Sequence, residues 1–362
     1  MNATDENPLT DDLLITRSEE PLNLEIPFSQ LREFVTPNEK FYERCHFPVP
    51  QIEASAWKLR IEGAVNGALA LTLDDLKQLP RHTIAATMEC AGNGRSHLEP
   101  KVKGVAWDIG AVGNAEWSGV LLRDVLQRAG LSSDAREVVF EGADRGAIKE
   151  APRPPAEIHY ARGVPIAKAN TDVLLAFEMN GAPLTPEHGF PLRVVVPGWF
   201  GMSSVKWLQR IVVLIEPFTG YYQSIDYTYW DEQDGIPTLA PLGEMRVKAQ
   251  IARPHMGEVI AAGTDYRVHG AAWSGDDDVA KVEVSDDQGA SWKAATLIGE
   301  SLKNAWRFWE FHWTAPSRVG DCVLMARATD SAGRTQPPHR IPEYGTYMIN
   351  HVLPIRVSVA YS

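Results

Sequence analysis

Cys90 is the residue of this 362-residue chain whose neighbours best equip it for chemistry. It stands in the run ATMECAGNGRS, residues 86–96, directly before a Gly-Asn-Gly turn. Gly92 and Gly94 let the backbone approach a ligand closely, while Arg95 brings positive charge that stabilises a thiolate and attracts an anion. A thiolate so placed is a soft metal ligand or a nucleophile. The nucleophile reading needs a base, and His97 is the nearest in sequence.

Composition narrows what such a site serves. With 35 Lys and Arg against 47 Asp and Glu, the formal charge is −12, which repels nucleic-acid phosphate and anionic lipid and excludes both as general partners. An anionic substrate would need a local basic pocket set against this field. Cys45, Cys90 and Cys322 are too few, too far apart and odd in number for a disulfide framework. The first twenty residues have acids where a secretory leader needs basic residues, and no run reaches transmembrane length, so a cytoplasmic location is expected, or a periplasmic one if a leader has been removed.

The elements that must position these residues fall into two parts, with a division expected between residues 240 and 241. WKLRIEG reads as a strand, LTLDDLKQLP as a short helix, VLLRDVLQRAG as a helix ended by Gly130, EVVFEGAD and PLRVVVPGW as strands, and DVLLAFEMNGAPL as a strand with an Asn-Gly turn. The loose, Pro- and acid-rich stretch at 231–245 reads as a linker. Beyond it YRVHGAAWS, KVEVS, RFWEFHWTA and CVLMARATD are short strands between turns, with Trp273, Trp292, Trp306, Trp309 and Trp313 expected in a sandwich core.

Taken together, these motifs resemble the sulfite oxidase family. Cys-Ala-Gly-Asn-Gly-Arg is similar to its molybdenum-binding motif, FYERCHFPVP at 41–50 to an Arg-Asn-His-x-Pro-x-Pro segment, FEGAD at 140–144 to Phe-Glu-Gly-x-Asp, and EMNGAPLTPEHGFPLRVVVPG at 178–198 with VKWL at 205–208 to a long signature. VEVSDDQGASW at 282–292 and AWRFW at 305–309 resemble its C-terminal dimerisation domain. The resemblance implies an α+β molybdopterin-binding domain over residues 1–240, then an all-β immunoglobulin-like sandwich over 241–362 that forms homodimers. Cys90 would bind molybdenum beside a pyranopterin dithiolene. Tyr42, Glu43, Arg44, Cys45, His46, Asp144, His188, Arg193, Ser204, Val205 and Lys206 would hold the pterin and its phosphate. Arg44, Arg95 and Trp107 would form the substrate pocket, and Tyr227 would act beside the metal.

The implied reaction is oxidation of sulfite to sulfate by oxo transfer, with electrons leaving to an external acceptor such as a cytochrome. The alternative is a reductase on the same cofactor that acts on a sulfoxide, nitrate or another oxyanion. A non-catalytic binding protein is a third class, opposed by the intact Cys90, Arg95 and Tyr227. Neither haem nor flavin is expected, since Cys-x-x-Cys-His and a Rossmann glycine fingerprint are both missing. Three positions depart from the family pattern: Cys45 stands where relatives carry Asn, Gly94 where animal and plant members carry Arg, and 343–352 has no arginine where animal members place a substrate-binding one.

Overall fold

The computed structural model describes residues 14–361; most of the acidic N-terminal stretch therefore lies outside the described residues. The N-terminal region is built on two five-stranded sheets. In one, Arg81–Glu89 pairs antiparallel with Val112–Leu121, which pairs with Leu174–Met179; Ala182–Pro183 and Arg193–Val195 both attach to Leu174–Met179. In the other the order is Leu69–Leu71, Leu59–Gly63, Leu208–Leu214, Glu137–Gly146 and Ile158–Pro165, with Leu208–Leu214 parallel to Leu59–Gly63. A small three-stranded sheet of Ile15–Glu19, Leu22–Glu25 and Glu43–Arg44 lies at the start of the chain.

Helices are short. Leu73–Lys77 starts at a Thr72 and Asp75 capping box, and Leu122–Ala129 stops at Gly130, whose φ of 71° a side chain would resist. The helical face of the latter, Leu122, Val125, Leu126 and Ala129, is buried against the sheets. None of the described helices is long and apolar enough to cross a membrane.

The C-terminal region is a sandwich of a four-stranded sheet, Lys248–Arg253, Asp265–Trp273, Arg307–Thr314 and Thr296–Ile298, on a five-stranded one, Val259–Ala261, Ile355–Ala360, Gly320–Asp330, Val279–Ser285 and Lys293–Ala294. Ile355–Ala360 alternates buried and partly exposed positions, as one face of such a sheet must.

Two sequence expectations are corrected. The stretch read as a linker is a β-hairpin, Thr228–Gln233 with Ile236–Pro241. Its Asp234-Gly235 turn takes φ of 52° and 76°, the left-handed pair that favours a two-residue hairpin over the flexible connection its prolines suggest. Nor do all five tryptophans fill the sandwich. Trp309 and Trp313 do, but Trp273 and Trp306 pack into the core of the N-terminal region, and Trp292 stacks on the Arg327 guanidinium 4.2 Å from its ring. An indole N–H needs an acceptor when buried; Trp273 donates to Glu89 at 2.9 Å and Trp306 to the Phe34 carbonyl at 2.9 Å, both across the junction.

Candidate active site

Cys90 follows directly on the strand Arg81–Glu89. Its N–H donates to the Ala111 carbonyl at 2.9 Å, and its carbonyl accepts from Asn93 N at 2.9 Å, which closes the turn. At Gly92 a Cβ would press on the Arg95 guanidinium, so the glycine lets that side chain fold across the turn. Gly94 is required for its φ of 95°. Arg95 is thereby folded back over the turn, with Nη1 on the Val105 carbonyl at 2.9 Å, Nε on the Thr346 carbonyl at 3.1 Å, and its plane 5.1 Å from the Tyr347 ring. His97 turns away and contacts Asp108 at 2.6 Å, so it is not the base that a nucleophilic Cys90 would need.

A cavity opens in front of Cys90. Tyr42, Arg44, His46, Cys90, Asp144, His188, Arg193, Ser204, Val205, Lys206 and Tyr227 all line it. Glu43, Cys45, Arg95 and Trp107 stand behind the wall. Trp107 is fully buried in the same packed cluster as Cys90, and Cys45 offers its sulfur to Lys206 Nζ at 3.4 Å. Burial raises the carboxyl of Glu43 above its usual range.

Sequence reasoning missed the residues that hold this lining. Asn23, buried opposite Arg44 in the small sheet, accepts from Arg44 Nη1 at 3.3 Å and from Cys45 N at 3.0 Å. The Asn38 carbonyl receives His188 Nε2 at 2.9 Å. Tyr160 stacks on His46 at 4.3 Å and bonds the Met202 carbonyl at 2.7 Å. The only signal in the sequence was polarity at positions that burial would penalise without a partner.

Electrostatically the cavity is cationic. Burial lowers Lys206, and it lowers Arg193 to about 10, which leaves Arg193 charged at neutral pH. Arg193 donates to the carbonyls of His188 and Ser204 at 3.0 and 3.2 Å, and Lys206 to that of Glu187 at 2.7 Å. Burial opposes the charge on Arg44, but the Tyr227 hydroxyl and the Cys90 thiol nearby more than offset this and hold it above the ordinary arginine value. Burial also keeps His46 well below its usual range and takes His188 down to about 4, so both rings are neutral. The Cys90 thiol is pushed up by burial and drawn back by Arg44 and Arg95.

The donor set fits a phosphate-bearing pterin. Three guanidinium or ammonium groups face one space for an anion. The Cα of Gly201 approaches the Tyr42 hydroxyl so closely that a Cβ would sit 2.5 Å from it, which keeps that wall flat. Asp144 is 3% exposed, and its Oδ1 has no hydrogen-bond partner among the described residues, although a ring bearing N–H groups would supply one.

Asp144 yields a direct test. Burial raises its carboxyl to about 7, opposed by Lys206. A carboxyl raised in the folded state above its unfolded value stabilises below the unfolded value and loses that stabilisation as pH rises through the folded one. The cofactor-free chain is therefore expected to lose stability between about pH 4 and pH 7, by at most about 4 kcal/mol from this group. Asp144→Asn should flatten that slope in chemical denaturation at several pH values. An unchanged slope in the variant would show that Asp144 does not titrate in this window.

Comparison with known proteins agrees with this chemistry. A family model described as the oxidoreductase molybdopterin binding domain matches residues 46–222, and one described as the Mo-co oxidoreductase dimerisation domain matches residues 240–359. The chain is similar to the mitochondrial sulfite oxidase of Drosophila melanogaster, 39% identical in an alignment that covers 92% of this chain and 60% of that protein. It is also similar to the sulfite oxidase of Gallus gallus, 38% identical over 91% of this chain and 74% of the relative. It thus spans only about 60% of the length of the fly protein. Among solved structures, the sulfane dehydrogenase SoxCD from Paracoccus pantotrophus matches with a TM-score of 0.79 and 27% identity, covering 98% of this chain and 92% of that one.

Proposed function

This chain belongs to the sulfite oxidase family of molybdenum-cofactor oxidoreductases, and from that premise we propose that it oxidises sulfite to sulfate and passes the electrons to an external acceptor. The observation that carries the reading is the convergence of the Cys90 thiol, the unpartnered Asp144 oxygen and the cations Arg44, Arg193 and Lys206 on one buried cavity.

Cys90 would give the molybdenum its protein ligand. Asp144 would accept from the pterin ring, and Arg193, Lys206 and neutral His188 would meet its polar and anionic parts. When bound, this group supplies two-electron oxo-transfer chemistry. The protein's own part is binding and proton handling. Arg44 offers a fixed positive charge to a small dianion in the cavity that it lines. Tyr227, 3% exposed, is kept protonated by burial, which raises its hydroxyl far above neutrality. That hydroxyl lies 2.6 Å from His46 Nε2. Neutral His46 can accept that hydroxyl's hydrogen bond and so fix the direction in which Tyr227 presents its oxygen to the cavity.

The test is metal and pterin analysis of the purified chain together with sulfite-dependent reduction of an artificial electron acceptor. Stoichiometric molybdenum with no sulfite turnover would retain the cofactor and overturn the substrate. The sandwich domain, divided from the catalytic domain at about residue 240, is assigned to self-association. Light scattering at micromolar concentration should return twice the 40.0 kDa chain mass. A strictly monomeric species would remove that role.

A further inference from the structure

Directly behind Cys90 lies a cluster of charge that the catalytic reading does not use. Glu89 is 3% exposed and ends the strand that leads into the cysteine. Its Oε1 accepts from Lys248 Nζ at 2.8 Å and from Asn93 Nδ2 at 3.1 Å, and its Oε2 accepts from Trp273 Nε1 at 2.9 Å. Lys248 Nζ also reaches the Asn93 carbonyl at 3.4 Å and lies 5.7 Å from the centre of the Trp273 ring. Asn93 Oδ1 in turn accepts from Ala111 N at 3.1 Å, the residue whose carbonyl holds Cys90 N. Lys248, Asn93 and Trp273 are each 1% exposed. Lys248 and Trp273 come from the sandwich, whereas Glu89 and Asn93 flank Cys90.

Stability alone does not explain this arrangement. A buried ion pair is seldom better than apolar side chains of the same volume, because desolvation consumes most of the Coulombic gain. What it supplies is a fixed register, since its hydrogen bonds are directional and join named groups of the two domains. Here a single ammonium ties down both sides of the turn that presents the thiol. Polar groups one step behind a metal ligand fix the ligand's direction in the same way.

We infer that Lys248, with Trp273, is a positioning residue for Cys90: the sandwich domain sets the geometry of the metal-binding turn in addition to any role in self-association. The inference rests on reading Cys90 as the metal ligand, but its test does not need the metal. The measurement is the rate of iodoacetamide labelling at each cysteine in the full-length, cofactor-free chain, read by peptide mass spectrometry. Cys322, on the sandwich strand Gly320–Asp330 and partly exposed, is the internal reference.

Lys248→Met is expected to raise Cys90 labelling about tenfold and Trp273→Phe about threefold, with Cys322 unchanged, because each opens the turn locally. Lys248→Arg, which keeps the charge, should stay within about threefold of wild type. Wild-type labelling of Cys90 in both Lys248→Met and Trp273→Phe would overturn the inference, as would a parallel rise at Cys322, which reports general loosening. Should Lys248→Met fail to fold, Trp273→Phe decides. Protection of Cys90 when the wild-type chain is loaded with cofactor tests the ligand reading separately.

Discussion

Cys90→Ser is expected to fold and to show no measurable turnover with sulfite. The substitution removes no backbone contact, since the N–H to Ala111 and the carbonyl to Asn93 are independent of the side chain. A hydroxyl in the thiol's place, 6% exposed, costs about 1–3 kcal/mol if it finds no partner, which a domain of this size tolerates. The chemistry is different in kind. A thiolate is a soft, polarisable donor to the metal, and a serine oxygen is hard and far less acidic. The check is a circular-dichroism melt beside a turnover assay on chains of equal molybdenum content. Activity near wild type in a loaded Cys90→Ser chain would remove the cysteine from the metal site and with it the mechanism proposed for this cavity.

How much of this site was legible in the sequence differs residue by residue. Cys90 was legible because two glycines and an arginine beside one thiol make a local pattern, and the structure gives each a local reason: Gly92 clears the Arg95 guanidinium and Gly94 carries φ of 95°. Asp144, the pair His188 and Arg193, and Lys206 lie on three separate segments, so no spacing rule brings them together; only the order of family motifs suggested one cavity. Asn23 and Asn38 went unnoticed because their partners are about twenty and 150 residues away in the chain, and a polar residue of the N-terminal segment looks like surface until the strand beside it is known. The hairpin at Thr228–Pro241 was missed although Asp234-Gly235 signalled it, since the surrounding prolines outweighed one dipeptide. Trp273 and Trp306 were placed in the wrong core for a physical reason: alternation along a strand tells which face a side chain takes, but not which domain lies against that face.

The arginine expected near residues 343–352 is not present in the sequence, and the geometry there determines how the remaining two guanidinium groups divide the work. Tyr347 fills part of that space. Its ring lies 5.1 Å from the Arg95 guanidinium and 5.0 Å from the Tyr227 ring, and its hydroxyl donates to Asp226 at 2.5 Å. Arg95 commits Nε and Nη1 to the carbonyls of Thr346 and Val105 and stands behind the cavity wall, whereas Arg44 lines the cavity. Arg44 should therefore carry more of the substrate's charge than Arg95. A charge-assisted contact contributes roughly 1.5–3 kcal/mol, equivalent to about one to two decades in apparent affinity. Arg44→Gln is expected to raise KM for sulfite by about 10–100-fold, and the loss should be partly hidden at high sulfate or chloride, where competition already weakens the wild type. Arg95→Gln should raise KM by less, about tenfold, and also lower kcat, because two carbonyls beside the Cys90 turn lose their donor and the turn loosens. Steady-state kinetics at two ionic strengths separates these outcomes. If both variants keep the wild-type KM, sulfite is not held by these arginines; if Arg95→Gln alone raises it, the anion sits against the Cys90 turn and not in the cavity that Arg44 lines.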